Sequence, residues 1–232
     1  DFVYQVRRVL YRAGDYQTLM PYNTDPPGED LPAAERAEYL RADRLVPVTG
    51  KLKRLATRVT AGQTGRIAKA HAIYLYIFHT LRYDKSGTGW GHGNAMWACD
   101  NKRGNCTDFH SLFMAMARSQ GIPARFVIGF PVPWNQHAGT VEGYHCWTEF
   151  YAPGAGWVPL DIAYAWLHKS RVKFYFGAVD ASRVRFSAGR DLELAPPQSG
   201  PPVNYFVYPY IEVNGQAGGS ATNHFSFRDD AR

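Results

Sequence analysis

The sequence contains no long uninterrupted hydrophobic run. The longest candidate, AHAIYLYIFHTL at residues 70–81, is interrupted by two histidines and is followed by Arg82. A membrane-spanning helix needs about 18–20 consecutive apolar residues, so we expect no transmembrane segment. The chain begins at Asp1 rather than at a methionine or a charged-then-apolar leader. We interpret it as a mature form without its signal peptide, and the basic charge is compatible with export, although the sequence leaves the compartment open.

Cysteine is scarce, and its spacing is unlike that of most zinc sites. The three cysteines are Cys99, Cys106 and Cys146, separated by 7 and 40 residues. An odd number leaves at least one thiol unpaired unless it bridges two chains, so a disulfide framework is not expected. Because no Cys-x-x-Cys pair is present, we also expect no zinc site. The redox state of Cys99 and Cys146 and the oligomeric state stay open.

Familiar nucleotide and calcium motifs are missing as well. Residues 84–105, DKSGTGWGHGNAMWACDNKRGN, are rich in glycine but lack the Gly-Lys-Ser/Thr of a phosphate-binding loop. They follow a predicted helix rather than a strand, and their acidic residues do not have the spacing of an EF-hand. We therefore predict an irregular loop here, and we expect neither a cofactor nor a metal ion.

The charge is basic without forming a block. The formal net charge is +6 and the pI is near 9.2. The densest basic stretches, at 51–58 and 169–173, are interrupted by other residues, and no nucleic-acid-binding motif accompanies them. We expect no nucleic-acid partner. A general attraction to anionic surfaces such as cell wall or phospholipid remains an alternative.

The hydrophobic pattern changes from a helical to an alternating period along the chain. Helices are predicted at 32–43 and 51–58, after Thr64 as a cap, and from Cys106 to about Gln120. Strands are predicted at 2–11, 124–132, 144–152, 156–164, 173–179, 203–213 and 224–228. Helices followed by an antiparallel sheet indicate an α+β fold in one domain, 1–232, with an elaboration at 1–60, a core at 61–180 and strands and loops at 181–232.

Cys106 lies in the stretch KRGNCTDFHSLF, where the last of the predicted helices begins. Taken alone it could be a core residue, a ligand or a nucleophile. A helix N-terminus lowers a cysteine pKa because unpaired N–H groups face it. Its own N–H could help to hold an oxyanion, and Gly104 allows a sharp turn before it. Asp108 is interpreted as a capping carboxylate rather than a proton shuttle.

A base and an orienting acid are found on two neighbouring predicted strands. GYHCWTEFY carries His145, and GWVPLDIAY carries Asp161. If the hairpin between them turns at Gly154, residues whose numbers sum to about 306–308 face each other, which places Asp161 beside His145. An activated thiol needs such a base, itself oriented by a third group. The spacing thus predicts a Cys-His-Asp catalytic triad.

These three motifs, RGNCTDFHSLF with GIPAR, GYHCWTEFY and GWVPLDIAY, resemble the transglutaminase-like superfamily of papain-fold enzymes, in a microbial branch of cysteine-protease-like proteins. The resemblance covers roughly residues 60–180. It implies a nucleophile helix packed on an antiparallel sheet. It also implies Cys106 as nucleophile, His145 as general base and acid, and Asp161 as the orienting carboxylate, with a thioester acyl-enzyme. Relatives often complete the oxyanion hole with an upstream side chain, for which Trp90, Trp97 and Asn105 are candidates.

The expected function is hydrolysis of an amide or peptide bond in a peptide, a protein or a cell-wall peptide. Transamidation of a protein glutamine and a non-catalytic binding module are the alternatives, and the substrate stays open. His110, four residues after Cys106 on the same helix face, could be a base or a metal partner. We favour a structural or supporting role for it, because it would lie beneath the helix start.

Overall fold

A computed structural model of the chain describes residues 3, 5–14, 16–19, 24–219 and 221–229. Its helices are α1 (Tyr16–Leu19), α2 (Ala33–Leu40), α3 (Gly50–Val59), α4 (Arg66–Thr80), α5 (Ala95–Asn101), α6 (Cys106–Ser119) and α7 (Ile162–Leu167). Its strands are β1 (Tyr11–Arg12), β2 (Arg82–Tyr83), β3 (Arg103–Gly104), β4 (Ala124–Pro131), β5 (Ala138–Thr140), β6 (His145–Ala152), β7 (Gly156–Leu160), β8 (Ala178–Val179), β9 (Arg183–Ala188), β10 (Glu212–Val213), β11 (Gln216–Ala217) and β12 (Ser226–Arg228). Helices combined with largely antiparallel strands confirm the α+β class.

The chain divides into two compact units. The helical unit comprises Tyr11–Phe126 and Trp147–Val179, and the terminal unit comprises Asp1–Leu10, Val127–Cys146 and Asp180–Arg232. Strands β4 and β6 have residues in both. The organisation as one domain in three segments stays a prediction. No helix in the described ranges combines the length and the apolar character that crossing a bilayer requires.

Helix α6 is the centre of the helical unit. All of its residues from Cys106 to Arg118 are buried, and α3, α4, α5 and α7 pack against it. The apolar face predicted from the sequence includes Phe113, whose ring lies 6.3 Å from that of Phe150. Burial of so much apolar surface is the main stabilising term in a fold of this size. The helix that carries the cysteine is therefore held on every side.

The start of α4 differs from the sequence prediction. Thr64 is not its cap, since the N-cap is Gly65 and has no capping side chain. Instead the Asp25 carboxylate accepts the N–H groups of Arg66, at 2.6 Å, and of Ile67, at 3.3 Å. A carboxylate at a helix N-terminus satisfies unpaired donors and complements the helix dipole. Here it comes from a loop about forty residues earlier in the chain.

The predicted hairpin is present as β6 and β7. Thr148 pairs with Leu160 and Ala152 with Gly156, so the residue numbers sum to 308 as the register prediction required. The strand prediction for 156–164 is wrong in its second half. Strand β7 ends at Leu160, and Asp161 is instead the N-cap of α7.

Other differences concern short elements. Residues 84–105, predicted as an irregular loop, contain α5, whose N-cap Asn94 accepts the N–H groups of Met96 and Trp97. The predicted strand at 173–179 is reduced to β8, and the one at 203–213 to β10. The first predicted strand, 2–11, contributes only Tyr11 to β1, and part of it lies outside the described residues.

The terminal unit has its own strand pairs. Val127–Pro131 of β4 pairs antiparallel with β9, and β12, predicted as an edge strand, pairs with the unpredicted β5. Aromatic rings pack beside these strands, with the ring centroids of Phe130 and Phe225 4.5 Å apart. The Arg8 guanidinium donates to the Val132 carbonyl at 2.8 Å. These contacts lie within the terminal unit, which also contains His145.

His71 supplies a test of this core. It is buried on α4, its ring 4.9 Å from that of Phe176, and burial lowers its pKa to about 4. Between pH 6.5 and 4, His71 binds a proton in the unfolded chain but not in the folded chain. The free energy of unfolding therefore falls as the pH falls. We expect the free energy of unfolding of the wild type to fall by on the order of 2 kcal/mol over this range, and His71→Phe to abolish this decrease. Urea unfolding at pH 7.5, 5.5 and 4.5 measures it.

The control for this experiment lies on the same helix. His79 is exposed near the end of α4, so His79→Phe should leave the pH dependence of the wild type in place. An unchanged pH dependence in His71→Phe would contradict the assignment of this titration to His71.

Candidate active site

Cys106 is the first residue of α6, as the sequence predicted, and its side chain is 2% exposed. Asn105 is the N-cap, and its side-chain oxygen accepts the Thr107 N–H at 3.0 Å. The Asp108 carboxylate accepts the Asn105 N–H at 3.0 Å, which completes a capping box. The capping role predicted for Asp108 is confirmed. The sulfur is thus carried by a helix start at which the N–H groups of Asn105 and Thr107 both have side-chain acceptors.

Asp108 also holds the glycine-rich loop. Its Oδ2 accepts the Gly91 N–H at 2.7 Å, and its Oδ1 accepts the Gly93 N–H at 3.0 Å. Both glycines have positive φ, 85° and 64°, a conformation that side chains disfavour. Because three backbone donors converge on one carboxylate, the loop is fastened to the residues on either side of Cys106. The glycines of this segment indicated an irregular loop, but the sequence did not show that one carboxylate would accept hydrogen bonds from two of them.

The Asp108 carboxyl is buried, and burial raises its pKa above the ordinary value. The N–H groups of Gly91, Asn105 and Gly93 act in the opposite direction, and the nearby Cys106 adds to the rise. Desolvation disfavours the charged form, whereas N–H donors favour it. The negative charge at this position therefore depends on all of its donors being in place.

Gly104 is required by the same carboxylate. Its φ is 149°, and a Cβ built on it would lie 2.4 Å from Asp108 Oδ2. Gly104 also belongs to β3, where it pairs with Tyr83 of β2 and its carbonyl accepts the Asp84 N–H at 3.0 Å. This short parallel pair closes the base of the loop just before the cysteine. The positive φ and the closeness of Asp108 are the physical reasons for a glycine at this position.

Asp161 is fully buried at the start of α7. Its Oδ1 accepts the Tyr164 N–H at 2.9 Å, and its own N–H donates to the Tyr175 carbonyl at 2.9 Å. His110, fully buried on α6, accepts the Ile162 N–H at its Nε2 at 3.1 Å. The same Nε2 lies 3.7 Å from Asp161 Oδ1. The helical unit thus joins the cysteine's helix to the segment that carries Asp161.

His145 is the first residue of β6, is 4% exposed and belongs to the terminal unit. Farther along, β6 pairs with β7, where the last pair joins Thr148 to Leu160. Because β7 ends there, the predicted pairing of His145 with residues 161–163 is not part of the observed ladder. The expected proximity of His145 to Asp161 stays a prediction.

The three candidates for an oxyanion donor differ in their bonding. The Trp90 indole N–H donates to the Gly87 carbonyl at 3.0 Å. Trp97 is half-buried on α5, with the Arg103 guanidinium 5.6 Å from its ring centroid. The Asn105 side-chain oxygen is used in the cap, which leaves its amide nitrogen as the atom that could act as a donor. All three stay candidates.

Cys99, Cys106 and Cys146 are buried thiols that form no disulfide with one another. In the part of the chain that the structure describes, no group of three or more His, Cys, Asp and Glu side chains is arranged to hold a metal ion. The cap at Asn94 and the contact between His110 and Ile162 were not predictable from the sequence, because they depend on helices α5 and α7, which were not predicted.

The link between Asp108 and the loop can be tested directly. Asp108→Asn replaces one acceptor oxygen by an N–H₂ group that faces backbone donors, and an unsatisfied buried donor costs about 1–3 kcal/mol. We expect amide hydrogen exchange of residues 84–94 to become faster and the protein to be less stable by that amount. Hydrogen-exchange mass spectrometry and urea unfolding measure the two effects.

Asp84→Asn is the matched control, since Asp84 lies at the start of the loop and accepts the nearby Ser86 N–H. It should change exchange only near its own position. Wild-type exchange over 84–94 in Asp108→Asn would show that the carboxylate does not hold the loop.

Comparison with known proteins connects this site to a family. Residues 53–162 match the family model described as the transglutaminase-like superfamily. An uncharacterized protein of Haemophilus influenzae is 30% identical over 225 residues, which cover 83% of this chain and 61% of that protein. The uncharacterized protein YebA of Bacillus subtilis is 35% identical over 142 residues, covering 53% of this chain and 19% of YebA. The chain thus spans less than two thirds of either relative.

A solved structure supports the fold. The crystal structure of a putative cysteine protease from Cytophaga hutchinsonii superposes with a TM-score of 0.59 at 19% identity. The superposition covers 96% of this chain and 63% of that one. At this identity the similarity concerns the fold alone. The segment that matches the family model, 53–162, contains Cys106, His145 and Asp161.

Proposed function

We propose that the chain hydrolyses an amide or peptide bond through a thioester on Cys106, because residues 53–162 match the model of the transglutaminase-like superfamily. His145 acts as the general base and acid, and Asp161 orients and stabilises its imidazolium. The substrate is a peptide, a protein or a cell-wall peptide. The family supports the class of enzyme, and the roles of these residues are our proposal.

The observation that carries the proposal is the position of Cys106 at the first turn of a fully buried helix. The first N–H groups of a helix have no acceptor within it, and together with the helix dipole they favour a thiolate over a thiol. The hydrogen bonds that the Asp108 carboxylate accepts keep this turn and the glycine-rich loop beside it in place. Asp161 is fixed in the same unit by contacts that include one to α6. A nucleophile and an orienting acid are thus both immobilised.

The chemistry proceeds in two halves. His145 takes the Cys106 proton, the sulfur attacks the substrate carbonyl carbon, and the carbonyl oxygen becomes an oxyanion held by the Cys106 N–H and one of the candidate side chains. The C–N bond then breaks, and His145 gives its proton to the leaving amine. In the second half His145 deprotonates a water molecule, which attacks the thioester carbonyl. The C–S bond then breaks, the acid leaves, and the Cys106 sulfur regains its proton from His145.

Alkylation kinetics test the proposed triad. At pH 6 an ordinary thiol, with a pKa near 8.5, is a thiolate in less than about 1% of molecules, whereas a thiol paired with an imidazolium is largely ionised. We expect iodoacetamide to modify Cys106 on the order of 10² times faster than Cys99 or Cys146 at this pH. His145→Ala should remove most of that advantage. Peptide mass spectrometry follows each cysteine separately.

His79→Ala controls for the loss of a histidine, because His79 is exposed on α4. It should leave the Cys106 rate unchanged. If Cys106 reacts no faster than the other two cysteines in the wild type, or if His145→Ala leaves its rate unchanged, the proposed pairing of sulfur and imidazole is wrong.

A further inference from the structure

We infer that His110 is a positioning residue for the Asp161 carboxylate, an inference that rests on the proposed function. His110 follows Cys106 by one helical turn, and its imidazole is fully buried. Its Nε2 accepts the Ile162 N–H at 3.1 Å and lies 3.7 Å from Asp161 Oδ1. One ring on the nucleophile helix therefore holds the peptide unit that joins Asp161 to Ile162.

The hydrogen bond from Ile162 fixes the protonation of the ring. A backbone N–H can only donate, so Nε2 must present its lone pair, and in the neutral ring the proton is on Nδ1. Protonation at Nε2 would set two N–H donors against each other. His110 in this arrangement has no lone pair left with which to take the Cys106 proton. This separates His110 from the base and leaves His145 in that role.

Three contacts set the position of the Asp161 carboxylate. Its Oδ1 accepts the Tyr164 N–H, its backbone N–H donates to the Tyr175 carbonyl, and His110 holds the next peptide N–H. The Tyr164 contact is within the N-terminal turn of α7, and the Tyr175 contact comes from the segment after it. Of these three, only the His110 contact comes from α6. It therefore ties the Asp161 segment to the helix that carries Cys106.

The consequence concerns the imidazolium that forms when the thiol ionises. A carboxylate in the correct place stabilises that cation, as in a Ser-His-Asp triad. If the Asp161 segment shifts, the imidazolium is less stable, and the Cys106 thiol ionises at a higher pH. Loss of the His110 acceptor should therefore change the reactivity of a thiol that lies one turn away on the same helix.

The experiment measures Cys106 alkylation by iodoacetamide from pH 4 to 9 in the full chain and in three variants. His110→Leu removes the acceptor, His110→Gln supplies an amide oxygen in its place, and Asp161→Asn removes the carboxylate charge. We expect His110→Leu and Asp161→Asn to react about tenfold more slowly at pH 6, a shift of the profile by about one pH unit. His110→Gln should stay close to the wild-type profile.

The outcomes separate this inference from the proposed function. A wild-type Cys106 without enhanced reactivity at pH 6 contradicts the function. If Cys106 reacts fast in the wild type and slowly in Asp161→Asn, but His110→Leu keeps the wild-type pH profile, the role of His110 is wrong and the proposed function stands. A lower thermal stability with an unshifted profile would mean that His110 is merely structural. Should His110→Leu not fold, His110→Met, a flexible apolar replacement, is measured instead.

Nitrogen NMR supplies a readout that does not depend on the thiol. The ¹⁵N shifts of the His110 ring at pH 7.5 should identify an unprotonated Nε2 and a protonated Nδ1. A proton on Nε2 would overturn the assignment, because the Ile162 N–H would then have no acceptor there.

Discussion

The Asp108 carboxylate accepts backbone N–H groups from Gly91, Gly93 and Asn105, and the local structure around Cys106 depends on it. A buried carboxylate is costly unless its lone pairs are satisfied. The loop, the cap and the helix are therefore stable only together. Gly104 has to be a glycine because any Cβ would enter the space of this carboxylate. The sequence Gly-Asn-Cys-Thr-Asp is thus one structural unit around the sulfur.

Helix α6 connects the Asp108 carboxylate to the segment that carries Asp161. Asp108 at its third position fixes the loop, and His110, two residues later, reaches Ile162 beside Asp161. Both side chains are buried on a helix that neighbouring helices cover. The placement of Cys106 and Asp161 therefore follows from one rigid element, which suits the preorganised geometry that the proposed catalysis needs. The match of residues 53–162 to the model of the transglutaminase-like superfamily accords with this design.

The parts predicted from sequence are those with local causes. The capping role of Asp108 follows from its place in the first turn of α6, and the β6–β7 register follows from a tight turn. The prediction failed where a distant contact decides the structure. Asp25 caps α4 from about forty residues away, and Asp161 starts a helix although PLDIAY has the alternation of a strand. The aromatic stretch at 203–213 has strand composition, but its prolines and the lack of a long partner leave mostly irregular backbone.

The central claim is that Cys106 forms a covalent thioester with its substrate. The most direct test mixes the protein with a peptide library, quenches with acid and searches the Cys106 peptide for an acyl mass by mass spectrometry. The account predicts an adduct on Cys106 that hydroxylamine removes, together with peptide cleavage that Cys106→Ala abolishes. Equal cleavage by Cys106→Ala, with no adduct on the wild-type cysteine, would contradict it.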